Sequence, residues 1–182
     1  AVASVAAAPA VAAESEAFVA FKALCQDSNG KAAPALAAAD AAGWAELPGL
    51  FMKELDSMNL KPGAGGRAMV VNRKLLMMLA GRGDMGSDGE ADFCAVISVN
   101  RDTDQVVRDL RALTGVEPAK DMPSDMKRFS VWAYIDGPKG REYLTDVNSR
   151  KAMKAFSDGK LTMLMAGEEQ TMTIIMQMRP AA

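Results

Sequence analysis

Histidine is absent from all 182 residues of the chain. That removes the usual general base near neutral pH and the commonest transition-metal ligand, so Ser-His and Cys-His nucleophile systems and His-ligated zinc are excluded. Cysteine occurs only twice, at Cys25 and Cys94, a separation that argues against a Cys-x-x-Cys redox pair or a compact cysteine metal site. No stretch approaches the eighteen or so apolar residues that a membrane-spanning helix needs. Cationic excess is missing as well: 21 Lys and Arg stand against 23 Asp and Glu, for a net charge of −2. With the cations scattered, no positive field gathers nucleic acid or an anionic membrane, and neither a nucleic-acid partner nor a membrane span is expected.

What remains is ordinary globular material, 49% hydrophobic and 24% charged. A chain of this length buries roughly 70% of its unfolded surface. Residues 1–13, AVASVAAAPAVAA, are small and apolar and give way to acid at Glu14 and Glu16. Ala10-Val11-Ala12 fits the small-x-small pattern of a signal-peptidase site, so 1–13 read as a signal-peptide remnant or a flexible Ala-rich tail. Residues 14–182 then form a single α+β domain, expected to be periplasmic or secreted. In such a compartment two cysteines favour a Cys25–Cys94 disulfide, the alternative being two buried free thiols. Cys25 lies on the apolar stripe Phe18, Phe21, Leu24, and Cys94 lies within FCAVISV.

Ser15-Glu16 opens a helix running to about Asp27, where Asp27-Ser28-Asn29-Gly30 breaks it. A second helix carries Pro34 in its first turn and stops at Gly43. Residues 49–60 suit a short helix or a strand, and KPGAGG is a loop. AMVV and KLLMMLA read as strands to Ala80, GRGDMGSDGE as a polar turn, and DFCAVISV as a strand. Asp102-Thr103 caps an amphipathic helix with Val106, Val107, Leu110 and Leu113 on one face and Gly115 beyond its end. FSVWAYI and REYLT make a hairpin around GPKG, DVNSRKAMKAF a short helix, and the methionine-rich 161–179 a closing hairpin.

Four motifs invite functional readings. Gly81, Gly83 and Gly86 match GxGxxG, but only six residues separate Gly86 from Phe93. A dinucleotide site needs a helix and a crossover there, so the spacing predicts a wide hairpin at 81–92. The acids Asp84, Asp88, Glu90 and Asp92 offer oxygens for weak calcium binding in the loop 84–92, although Gly86 and Ala95 stand where an EF-hand places ligands. Ser-x-x-Lys occurs at Ser28/Lys31, Ser124/Lys127 and Ser157/Lys160, each time in turn-like surroundings and without the partner motifs of a serine acyl enzyme. The hairpin methionines alternate with threonine and glutamine in a way that predicts a Met-rich core with Met172, Met176 and Met178 on its inner face; the competing reading is a Cu(I) site of thioethers.

Phe21-x-Ala23-Leu24-Cys25 and Ala39-Asp40-Ala41-Ala42-Gly43-Trp44 resemble a pattern in small exported proteins of α-proteobacteria. The resemblance covers the first quarter of the chain and implies export, without implying an activity, a cofactor or site residues. The expected architecture is α+β: two N-terminal helices and two later helices packed on a mostly antiparallel sheet of five to seven strands. The expected role is that of a non-enzymatic binding or envelope-associated protein, with a small unknown ligand or an envelope protein as its partner. A metal binder, or a small enzyme working without histidine, is the alternative.

Overall fold

A computed structural model of the chain describes residues 13–49, 59–84, 89–120 and 127–181. Helix α1 (Glu16–Phe21) starts where the Ser15 hydroxyl accepts the Phe18 N–H at 3.2 Å. Rather than continuing unchanged, it widens into a π-helical turn over Lys22–Gln26 and closes through Asn29 and Gly30, both at positive φ. Helix α2 (Ala32–Ala41) follows, and its fully buried Ala35 and Ala39 let it lie close to the sheet.

Among the described residues one sheet holds all the strands: β1 (Ala45–Glu46), β2 (Gly65–Val71), β3 (Lys74–Asp84), β4 (Glu90–Ser98), β5 (Phe129–Gly137), β6 (Gly140–Leu144), β7 (Leu161–Glu169) and β8 (Met172–Pro180). Their spatial order is β1-β2-β3-β4-β8-β7-β5-β6, and every paired neighbour is antiparallel. The eight strands exceed the five to seven expected by β1, whose two residues carry no periodicity to read. Two-residue turns suit this geometry: Asn72 and Arg73, at φ 49° and 66°, close the β2–β3 hairpin with the twist its strands require.

Helix α3 (Thr103–Thr114) buries Val106 and Leu110 and ends at Gly115 with φ 69°. Asp102 occupies its N-cap position, but the side chain makes no capping bond; the Asp102 N–H donates instead to the Thr173 hydroxyl at 3.1 Å. Helix α4 (Arg150–Ser157) is capped by the Ser149 hydroxyl, which accepts the Ala152 N–H. Among the described residues these four helices stand as expected, two before and two after the first strands of the sheet, though α4 packs on the opposite face from the other three. The short helix or strand expected over 49–60 falls mostly outside the described residues.

Alternation along the strands divides the helices between the two faces. Trp132, Tyr134, Leu164, Ala166 and Ile175 pack with α1, α2 and α3 in the main core, whereas Ala133, Leu161 and Met163 pack with Ala155 and Phe156 of α4 on the reverse. This overturns one expectation. On β8 the inward residues are Thr173, Ile175 and Gln177, at most 1% exposed, while Met172, Met176 and Met178 lie half-buried on the opposite face. The apolar alternation was real, but α1, α2 and α3 cover the other set of side chains, and among the described helices only α4 lies on the methionine face.

Candidate functional site

Cys25 and Cys94 form a disulfide with their Cα atoms 5.3 Å apart. Both are wholly buried, which fastens the π-helical turn to the middle of β4 and keeps the bond from soluble thiols. It is a structural tie.

The described residues of 81–92 are strand rather than loop, Gly89 excepted. The β3–β4 ladder runs through Gly81↔Phe93, Arg82↔Asp92, Gly83↔Ala91 and Asp84↔Glu90, leaving only Gly89 described between the strands. Gly81 is explained by packing, since a Cβ there would stand 2.7 Å from that of Ala64. Gly86 and Asp88 lie outside the described residues. Two of the acids considered for calcium are engaged by cations, Asp92 with Arg82 at 2.7 Å and Glu90 with Lys61 at 2.9 Å. Among the described residues no group of three or more Asp, Glu, Cys or His converges as a metal site would. Of the Ser-x-x-Lys serines, Ser28 and Ser157 donate to the carbonyls of Cys25 and Met153, while Ser124 lies outside the described residues. Both hydroxyls therefore serve local turns.

A cleft with ligand-like chemistry opens elsewhere, at the β5–β6 edge. It encloses about 310 Å³ and is bounded by Trp132, Ala133, Tyr143 and Leu144 on the sheet and by Val116, Pro118 and Lys120 on the segment leaving α3. Trp132 is only 1% exposed, and its indole N–H donates to the Val116 carbonyl at 2.9 Å, so sheet and segment are locked together at the cleft floor. Backbone bonds complete the frame: Ala119 N–H to Val131 O at 2.7 Å and Lys120 N–H to Thr145 O at 3.3 Å. Tyr143 stands half-buried in one wall, its ring 5.5 Å from that of Tyr134 and tilted by 57°. Behind it the Arg141 guanidinium lies 4.6 Å from the Tyr134 ring centre. Burial pushes the Tyr134 phenol above its ordinary range, with Arg141 opposing part of that shift, so Tyr134 stays a neutral, rigid backing.

No protein family, curated protein or solved structure matches this chain. Function must therefore be argued from the site.

The rim of the cleft is asymmetric in charge. Glu117 pairs with Arg111 at 2.9 Å, which leaves Lys120 as the cation lining the opening among the described residues. The half-buried Tyr143 ring, the aliphatic Val116 and Leu144 and a cation at the rim, all backed by the buried Trp132, suit a flat apolar molecule carrying an anionic group. The sequence held a signal for this site that went unread: three of the four Trp and Tyr residues of the chain fall between positions 132 and 143.

A second hollow, about 410 Å³, lies at the start of α3 between Arg101, Asp102, Asp104, Arg108 and Glu168. Its walls mix both signs of charge, and Arg101 pairs with Glu168 at 3.5 Å. It has no apolar floor.

Proposed function

We propose that this is an exported, non-enzymatic binding domain whose ligand is a small planar molecule with an anionic group, held in the Trp132–Tyr143 cleft. The observation that carries the reading is the concentration of Trp132, Tyr134 and Tyr143 at one sheet edge beside Val116 and Lys120. Aromatic residues are scarce in this chain, and Tyr143 offers a half-buried ring with one apolar and one wet end, the kind of side chain enriched where partners bind. Export is supported by the buried Cys25–Cys94 disulfide, by the Ala10-Val11-Ala12 pattern and by the resemblance to exported α-proteobacterial proteins. No helix among the described residues is long and apolar enough to cross a membrane. The disulfide, the small-x-small pattern and the resemblance support a periplasmic or secreted location.

Native mass spectrometry of protein purified from its own envelope tests the reading, run beside the variant Val116→Trp. Val116 is 37% exposed, so a larger side chain there fills the cleft mouth without entering the core. The wild type should retain a small-molecule adduct that the variant loses. If the wild type carries no adduct and 2-naphthoate raises the melting temperature of both proteins equally or of neither, the reading fails.

A further inference from the structure

We propose that Met163, Met165, Met176 and Met178 form a thioether site for a soft monovalent cation, Cu(I) or Ag(I). The strand register places them together. Met163 pairs with Met178 and Met165 with Met176 across β7 and β8, and the alternation of both strands puts all four on one face. Directly opposed residues on antiparallel strands have Cβ atoms about 5 Å apart, and i,i+2 neighbours about 7 Å. The four thus form a compact rectangle whose centre lies about 4 Å in projection from every Cβ, within reach of an unbranched side chain with three rotatable bonds.

Packing accounts for only part of this block: Met163 joins the smaller cluster of Ala133, Ala155 and Leu161 beneath α4. The block lies on the face opposite the main core, and three of its members, Met163, Met176 and Met178, are half-buried, while Met165 is 4% exposed. β-Branched residues fit such strand positions better than methionine, and Ile174 and Ile97 occupy the neighbouring row of the same face. Four methionines in adjacent positions therefore sacrifice strand propensity and supply four soft sulfur donors. Histidine is absent and both cysteines are consumed in the disulfide, so the soft donors of this chain are its methionine thioethers. A ligand set made only of thioethers selects Cu(I) and Ag(I) over Zn(II) and Cu(II), which prefer imidazole, thiolate or oxygen. Thioethers also persist in an oxidising compartment where free thiols pair off.

Anaerobic titration of the full chain with Cu(I) tests the site, using bicinchoninate as competitor and ascorbate as reductant so that the disulfide stays intact. The wild type should take one equivalent, and Met163→Leu and Met176→Leu should each weaken binding by about tenfold or more. Met153→Leu, an exposed methionine outside the block at 64% exposure, should bind as the wild type does. Leucine preserves the apolar bulk, so the melting temperatures without metal should agree to within a few degrees, and X-ray absorption of the loaded wild type should show sulfur neighbours only. A wild type that fails to compete with bicinchoninate, block variants that bind unchanged, or Zn(II) bound as tightly as Cu(I) would overturn the proposal.

Discussion

Replacing both cysteines, as Cys25→Ala with Cys94→Ala, removes a covalent closure across 69 positions of sequence. In a chain-entropy treatment, releasing a loop of about 70 residues frees roughly 15 cal/mol/K in the unfolded chain, or about 4 kcal/mol at 25 °C. Both side chains are wholly buried, so each truncation adds a small cavity term, on the order of 1 kcal/mol for the pair. The sum, about 5 kcal/mol, is a large share of the 5–15 kcal/mol that typically separates folded from unfolded domains. For a chain of this size about 1 kcal/mol moves the midpoint by roughly 2–4 °C, so the double variant should melt about 10–20 °C lower. Urea denaturation followed by far-ultraviolet circular dichroism checks the free energy, and calorimetry the midpoint. The m-value should rise slightly, because the unlinked chain exposes more surface on unfolding. A shift under about 3 °C would refute the reasoning, since it would mean that α1 and β4 are held together without the bond.

Three further outcomes follow from specific contacts. Gly167→Ala would drive a Cβ to 2.5 Å from the Arg128 carbonyl oxygen and into the Phe129 ring, so it should destabilise by about 1–3 kcal/mol, whereas Gly137→Ala, with its nearest neighbour at 3.6 Å, should be close to neutral; paired urea melts decide this. The Lys74 ammonium, donating to Glu16 at 2.9 Å, holds that carboxyl at about 2, below its ordinary value of 4.5. The stability it supplies is thus fully present above pH 4.5 and lost as pH falls toward 2. A Glu16→Gln variant should match the wild type more closely at the low end of that window than at pH 7, by about 1 kcal/mol or less after solvent screening. Met78, 0% exposed in the main core, should cost about 2–5 kcal/mol on change to Ala, and half-buried Met178 clearly less; equal losses would contradict the assignment of faces.

Much of the fold was legible in the sequence where one signal stood alone. Helix α3 carries a single apolar stripe with glycine at its end, and β5 and the β7–β8 hairpin are apolar runs bounded by short turns, so 3.6-residue and two-residue periods locate them. The disulfide followed from an even count and an oxidising context. Phase was harder. Alternation on β8 reveals an apolar face of Met172, Ile174, Met176 and Met178 and a mixed face of Thr173, Ile175 and Gln177, yet the docking of α1, α2 and α3 covers the mixed one. Residues 81–84 and 90–92 read as turn because glycine and charge dominate them, yet sheet pairing prevails through the Arg82–Asp92 cross-strand ion pair and the tight seat of Gly81 against Ala64. The π-helical turn after Phe21 leaves the spacing of apolar residues nearly unchanged and so escapes any reading by period. The cleft escaped for a different reason: its wall from 116 to 120 and its floor at Trp132 meet only through tertiary hydrogen bonds.

The chain has two tryptophans, and that makes the binding claim directly observable. Their indole N–H groups give two separate cross-peaks in a ¹H–¹⁵N correlation spectrum, one from Trp132 on the cleft floor and one from Trp44, 8% exposed in the main core among the helices. Titration with 2-naphthoate should move the Trp132 peak saturably and leave the Trp44 peak in place, and the movement should vanish in Val116→Trp, where the new indole is assigned by its absence from the wild type. A Trp132 peak that stays fixed, or that moves equally in the blocked variant, would contradict the cleft as the ligand site.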